Sequence, residues 1–389
     1  MKIAIISPWF SDKMGYAENY LPAALGKLGH EVHLVTTDLQ IYGTFKKTYD
    51  AVYRAHLGPP VVSQGVFPME AHTLHRLPHC RVGGLGIVGL REKLDFLRPD
   101  IVYCFEILDK NYNIIISERK KFGYKIFSES RIHTSIFKPP VGIFKKIRQA
   151  LLARKSCRMA KEVSLFYPIA QDVYDNITKY FGIPANKCKL ASLAVDTSIF
   201  YRFSNQGGRT SFRLKHGYTD SDIVCLYTGR FTTEKGPHIL AEAIGLLVAS
   251  GRSEFKAMFV GQGDPECTKR ITDQPNCRIH PFVKVAELPF FYNYLDIGVW
   301  PRQESTSQLD AAGCGMPIIL DDAVEDKIRI EGNGLTFRNG AEGLAEQLLK
   351  LSDINLRKRL SVFAEQKIAQ HYSWTKLASD KIKDFQLTI

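Results

Sequence analysis

No apolar run in the 389 residues approaches the ~18 consecutive positions that a membrane-spanning helix needs. The opening stretch, Met1-Lys2-Ile3-Ala4-Ile5-Ile6, is too short for the apolar segment of a secretory leader and runs straight into Ser7-Pro8, so it reads as a buried strand. Eight cysteines are present, but none form a C-x-x-C pair. Common zinc and redox signatures are thereby excluded, and reduced, mostly buried thiols in a cytoplasmic protein are the expectation. No His/Asp/Glu cluster has metal-ligand spacing, so neither a metal nor a cofactor is expected. Short repeats and low-complexity tracts are also missing, which argues against solenoids and disordered arrays.

What is present is ordinary in amount and uneven in placement. Apolar residues make up 45% and charged residues 24%, as in a globular protein, and the length asks for two domains. The net charge of +12 lies entirely in the first half. Residues 1–195 hold 28 Lys and Arg against 16 Asp and Glu, whereas residues 196–389 hold 24 of each class. A polyanionic partner for the first half follows, either nucleic acid or an anionic membrane surface. Basic residues without interleaved aromatics or a recognised nucleic-acid motif argue against nucleic acid. Between Lys138 and Lys161 there are eight cations and no acid, with Ile143, Phe144, Ile147, Leu151 and Leu152 at nearly helical spacing. Such a helix can lie at an anionic lipid surface; the plainer reading is a core-packing helix with a solvated basic face.

Strand and helix patterns alternate along the chain. Strands are expected at Lys2–Ile6, Glu31–Thr36, Asp100–Phe105, Tyr124–Ser128, Glu162–Tyr167 and Lys187–Leu193, with a helix over Tyr16–Leu28. After a break near Val195–Gln206 the pattern restarts with Ile223–Tyr227, Phe255–Val260, Cys277–Pro281, Ile297–Trp300 and Pro317–Leu320, and a helix over Pro237–Ala249. Alternating β and α units make an α/β fold of two doubly wound parallel-sheet domains facing a central cleft, with ligands bound at the carboxyl ends of the strands. The stretch Asp38–Cys80 shows no clear pattern and reads as a functional loop region. Gly84-Leu85-Gly86-Ile87-Val88-Gly89 matches G-x-G-x-x-G literally but follows a poor strand, so it reads as the start of a helix ending near Leu97.

The chemistry concentrates in the second half. Gly229-Arg230 ends a strand, and Lys235-Gly236 precedes a helix, so two cations and two glycines share one strand-to-helix loop suited to a pyrophosphate. Gly261-Gln262-Gly263 ends another strand, and Phe282-Val283 follows the next. In Trp300 to Pro317, Thr306 and Ser307 open a small-residue helix whose amino end can hold a phosphate, and Glu304 and Asp310 can accept bonds from sugar or ribose hydroxyls.

In this order these segments resemble the retaining GT-B glycosyltransferases of family 4 (glycosyl transferases group 1). Gly229-Arg230 with Lys235-Gly236 resembles that family's donor-phosphate motif, Gly261-Gln262-Gly263 its V-G-x-G turn, and Asp310 to Pro317 its E-A-x-A-x-G-x-P helix. Gly29-His30-Glu31-Val32, Val195-Asp196, the turn Gly332-Asn333-Gly334-Leu335 and Tyr372-Ser373-Trp374 match in sequence order as well. The resemblance implies two Rossmann-like domains: an acceptor domain, 1–195, with helix 373–389 returning to it, and a nucleotide-sugar domain, 196–372. It implies catalytic roles for Arg230, Lys235 and Glu304. Donor contacts are implied for Gly15, Gly229, Gly261, Phe282, Val283, Thr306, Ser307 and Asp310, and sugar or acceptor contacts for Ser130, Arg131 and His133. The implied reaction retains anomeric configuration, needs no metal, favours a UDP-sugar over a GDP-sugar, and acts on a glycan, a lipid-linked or a small-molecule acceptor. Departures stand beside these matches. The family spaces its two acids by seven residues, which would put Arg302 opposite Asp310; Glu304 stands nearer. Met14-Gly15 replaces a double glycine, and Ala194 a linker glycine. A catalytically weak sugar-nucleotide scaffold and an epimerase of the same fold are the competing readings.

Overall fold

A computed structural model describes residues 1–82, 84–107, 110–134, 137–302, 305–324 and 330–388. The chain divides into two compact units, Met1–Leu193 with Trp374–Ile389, and Ala194–Ser373.

The first unit carries β1 (Lys2–Ile6), β2 (Glu31–Thr37), β3 (Gly65–Pro68), β4 (Thr73–Leu77), β5 (His79–Cys80), β6 (Gly86–Ile87), β7 (Ile101–Phe105), β8 (Lys125–Ser130) and β9 (Leu165–Pro168). Seven of them form one sheet in the order β3-β4-β2-β1-β7-β8-β9, parallel except for β3 on β4. Ile3 to Ile6 and Ile101 to Phe105 are buried, because helices cover both faces of these central strands and leave no polar side. Strand order reverses between β1 and β7, which puts a crevice outside their carboxyl ends. The last helix, Trp374–Gln386, packs on this unit: Trp374 stacks on Tyr20 at 5.6 Å, and Phe385 meets Phe127 at 4.4 Å.

The second unit holds β10 (Ile223–Thr228), β11 (Phe255–Val260), β12 (Cys277–His280), β13 (Ile297–Trp300), β14 (Ile318–Asp321) and β15 (Gly334–Phe337). All are parallel, in the order β12-β11-β10-β13-β14-β15. Its switch point therefore lies between β10 and β13. Arg213, fully buried, pins the start of β10 to the start of β13: its guanidinium donates to Asp296 at 2.9 Å and to the carbonyl of Thr219, and Asp296 in turn accepts from the Val224 amide at 2.8 Å.

Three sequence expectations need correction. Asp38–Cys80 is not a plain loop; it contains short helical turns from Lys46 to Leu57 and the strands β3 and β4. The strand pattern is hidden because β4 buries His75 and Arg76. Lys187–Leu193 is no ladder strand: a 3-10 turn, Ala185–Lys187, leads into an extended run along β9 with one bridge, Cys188 to Phe166. Gly334–Leu335, read as a turn, opens β15. A Cβ on Gly334 would stand 2.3 Å from the carbonyl oxygen of Ile318, so close strand packing explains the glycine. The glycine run ending at Gly89 does open the helix Leu90–Leu97. No helix among the described residues is long and apolar enough to cross a membrane.

Candidate functional site

In the second unit the candidate residues gather on the loops at the carboxyl ends of β10, β11 and β13. The loop after β10 is held by backbone contact with the loop after β11. Gly229 N–H donates to the carbonyl of Val260 (3.0 Å), Phe231 N–H to that of Gln262 (3.0 Å), and Asp264 N–H to that of Phe231 (2.8 Å). Such lacing needs bare backbone. Gly261 has φ 145°, and a Cβ on it would lie 2.0 Å from the Gly229 oxygen; one on Gly263 would lie 2.1 Å from the Phe231 oxygen. We expect Gly261→Ala to cost about 3 kcal/mol of stability and to weaken donor binding at the same time. Urea unfolding checks the first effect and nucleotide titration the second; wild-type values for both would show that the loops part without consequence.

Two cations project from this laced loop. Arg230 is exposed, Lys235 is partly buried, and neither is paired with any other described residue. Burial, with the nearby Arg230 charge adding to it, holds the Lys235 ammonium below its usual pKa. Like charges brought together without a counter-ion leave an anion as the natural complement. Gly236, at φ 69°, caps the helix Pro237–Ala249, whose amino end adds its dipole to the same place.

The loop after β13 is fastened to the loop after β10. Arg302 donates to the carbonyl of Thr233 at 2.9 Å, and its aliphatic stem lies against Gly236, where a Cβ would meet it at 2.9 Å. Trp300 Nε1–H donates to the carbonyl of Thr228 at 3.0 Å. The hydroxyl of Tyr292 bonds that of Thr228 at 2.9 Å and reaches Ser307. Ser305 caps the helix Thr306–Gly313 by accepting from the Ser307 amide at 3.3 Å, leaving Thr306 exposed in its first turn. Asp310 sits one turn further along. Burial, with Asp196 nearby, raises its carboxyl well above the ordinary range, which equips it to donate as well as accept. Phe282, just beyond β12, presents a ring that is 60% exposed, while its neighbour Val283 is buried. Glu304 lies outside the described residues.

The first unit places its candidates at its own strand ends. Gly15 lies in the turn between β1 and the helix Ala17–Lys27. Ser130, the last residue of β8, is buried. His133 Nδ1–H donates to the Asp172 carboxylate at 3.0 Å. Arg131 is committed to two carboxylates: Nη1 donates to both oxygens of Glu18 (2.9 and 3.0 Å), and Nε and Nη2 donate to Glu129 (3.0 and 2.9 Å). Sequence reasoning missed Glu106, which follows β7 with φ 74° and whose carboxyl burial pushes up to about 7. A left-handed glutamate at a sheet switch point is a signal that only coordinates reveal.

Residues 208–367 match the family model described as Glycosyl transferases group 1. The spore coat protein SA of Bacillus subtilis (strain 168) is 23% identical over 247 residues, covering 58% of this chain and 65% of that protein. A glycosyltransferase structure from Rickettsia africae aligns with TM-score 0.70 at 15% identity, over 99% of this chain and 98% of that one. The Anabaena protein HepE, solved in complex with UDP, aligns with TM-score 0.71 at 16% identity over 100% of both chains. At these identities the structural likeness is one of fold, the GT-B pairing of two parallel-sheet domains.

Proposed function

With residues 208–367 matching the glycosyl transferases group 1 on a GT-B fold, we propose that this chain is a retaining, metal-independent glycosyltransferase that takes its sugar from a nucleotide diphosphate donor. The observation carrying this reading is the pair Arg230 and Lys235, unpaired among the described residues, on a loop laced backbone to backbone with Gly261-Gln262-Gly263. Positive charge fixed there opposes the negative charge that develops on a departing nucleoside diphosphate, commonly the largest catalytic contribution. The exposed first turn at Thr306, with the Ser307 hydroxyl beside it, would serve the same phosphates. Phe282 offers its exposed ring to a base, with Val283 buried beneath the same turn. Asp310 would hold the ribose, Glu304 would orient sugar hydroxyls, and the acceptor hydroxyl would attack from the face the diphosphate leaves. UDP is favoured over GDP because HepE, a match over the full length, binds UDP. A glycan, a lipid-linked sugar or a small molecule is the acceptor class, and the cytoplasm fits a chain with eight free thiols.

A thermal-shift screen of UDP- and GDP-sugars, followed by turnover of the stabilising donor and NMR of the product anomer, tests this reading. Stabilisation without turnover would favour the scaffold alternative, and an inverted product would remove the retaining assignment. Chelators should leave turnover unchanged; its loss in EDTA and return with a divalent ion would overturn metal independence. Glu304→Gln is expected to lower kcat more than Arg302→Ala, because a carboxylate suits a hydroxyl-rich sugar whereas Arg302 already serves Thr233. Steady-state kinetics decide, and the reverse order would move the role to Arg302.

A further inference from the structure

The helix Ile143–Ala160 follows the loop that leaves β8 and turns its apolar residues away from the protein. Its packed face consists of Gln149, Leu152, Ala153, Ser156, Met159 and Ala160, spaced as one side of a helix should be. At ~100° per residue, Ile143, Ile147, Leu151 and Phe144 fall within a ~100° arc on the opposite side. These four side chains are 68%, 53%, 60% and 84% exposed, and Val141 just before them is 79% exposed. Leu152, by contrast, turns inward against the core. A folded soluble surface gains nothing from holding five large apolar groups in water together.

The charges around this arc say what covers it. Arg154 and Arg158 continue the same face toward the helix end, and Lys146, Arg148 and Lys155 flank it; all are exposed. No acidic residue occurs between Lys138 and Lys161. Apolar groups ringed by cations alone complement a surface that is hydrocarbon below and anionic above. We propose that this helix is a membrane-docking element: Val141, Ile143, Phe144, Ile147 and Leu151 enter the headgroup region of an anionic bilayer, and the flanking lysines and arginines hold the lipid phosphates. The surface stands apart from the enzymatic reading. Joined to that reading, it suits an acceptor carried on lipid.

Co-sedimentation of the full chain with phosphatidylcholine vesicles, with and without phosphatidylglycerol, tests the proposal. The chain should pellet with the anionic vesicles, less so as salt rises, and not with the neutral ones. Each cation removed should weaken binding about fivefold. Arg154→Glu with Arg158→Glu, and separately Phe144→Asp with Ile147→Asp, should each weaken binding at least about tenfold. Phe96→Asp, which removes an equally exposed aromatic elsewhere on this unit, should bind as wild type. All five positions are exposed, so circular dichroism should show an unchanged fold. Pelleting with both vesicle types or neither, undiminished binding by the double variants, or tighter binding to duplex DNA than to vesicles would each overturn the proposal. Donor turnover measured without vesicles separates the two readings: the double variants should keep it, and its absence from wild type leaves the docking result intact.

Discussion

Alanine in place of Arg230 or Lys235 is expected to lower kcat/KM for the nucleotide sugar by about 30- to 1000-fold each, or about 2–4 kcal/mol of transition-state stabilisation. Little stability should be lost, because neither side chain is paired with another described residue and Arg230 stands in solvent. Arg230→Lys should recover part of the loss, since charge survives while the two-pronged donor geometry does not. The pH profile adds a second readout. Burial and the Arg230 charge both hold the Lys235 pKa below its ordinary 10.5, so loss of its proton arrives early on the alkaline side. Removing Arg230 takes away one of those two pressures, so the alkaline limb of kcat/KM should move to higher pH in Arg230→Ala. Wild-type kcat/KM in either alanine variant would detach the pair from the chemistry. An unmoved alkaline limb would mean that the two cations do not sense each other.

Much of this arrangement was legible before any coordinates. Central strands such as Lys2–Ile6, Phe255–Val260 and Ile297–Trp300 are buried on both faces for most of their length, and a nearly continuous apolar run announces them. The Gly229–Gly236 loop was legible for a similar reason: two glycines and two cations sit between a strand and a helix. The strands β3 and β4, at one side of the first sheet, were hidden. Thr73–Leu77 buries a histidine and an arginine, and His75, whose pKa burial lowers to about 4, is bonded to His33 at 3.1 Å across the sheet. Lys187–Leu193 misled in the opposite direction, because its alternation is that of an extended edge run without a full ladder.

Contacts between distant segments were closed to sequence reasoning altogether. Nothing in the local pattern says that Gly261 must touch Gly229, or that Arg302 reaches back 69 positions to Thr233. The basic helix shows the same limit in a different form. Its composition allowed either a packed or a lipid-facing apolar stripe, and only the burial of Ser156 and Ala160 shows which side is which.

The second large effect is expected from Arg131→Met, which should destabilise the first unit by about 3–5 kcal/mol at neutral pH. The guanidinium lies between Glu18 and Glu129, whose side chains are 5% and 3% exposed, and stacks 4.7 Å from the ring of Phe105. Burial alone would weaken it as a base, but the carboxylates of Glu18, Glu129 and Glu106 outweigh that and fasten its proton. Methionine keeps much of the stem and strands the carboxylates. Glu129 retains the Tyr103 hydroxyl at 2.7 Å and Lys381 at 3.8 Å, whereas Glu18 has no other ion pair among the described residues. The loss should therefore depend on pH. In the native protein Glu106 titrates at about 7 against an ordinary 4.5, so the folded state holds that proton more tightly than the unfolded chain does. Its contribution is fully present below about 4.5 and fades as pH rises through about 7. Without Arg131 the opposing pull is gone, so the decline should steepen and extend to higher pH, and acid should partly rescue the variant. Urea midpoints of wild type, Arg131→Met and Arg131→Met with Glu106→Gln at pH 5 and pH 8 give the answer. A gap that widens at pH 8 and narrows when Glu106 is neutralised fits the clamp. Wild-type stability at both pH values, with a raised KM for acceptor alone, would instead give Arg131 to the ligand.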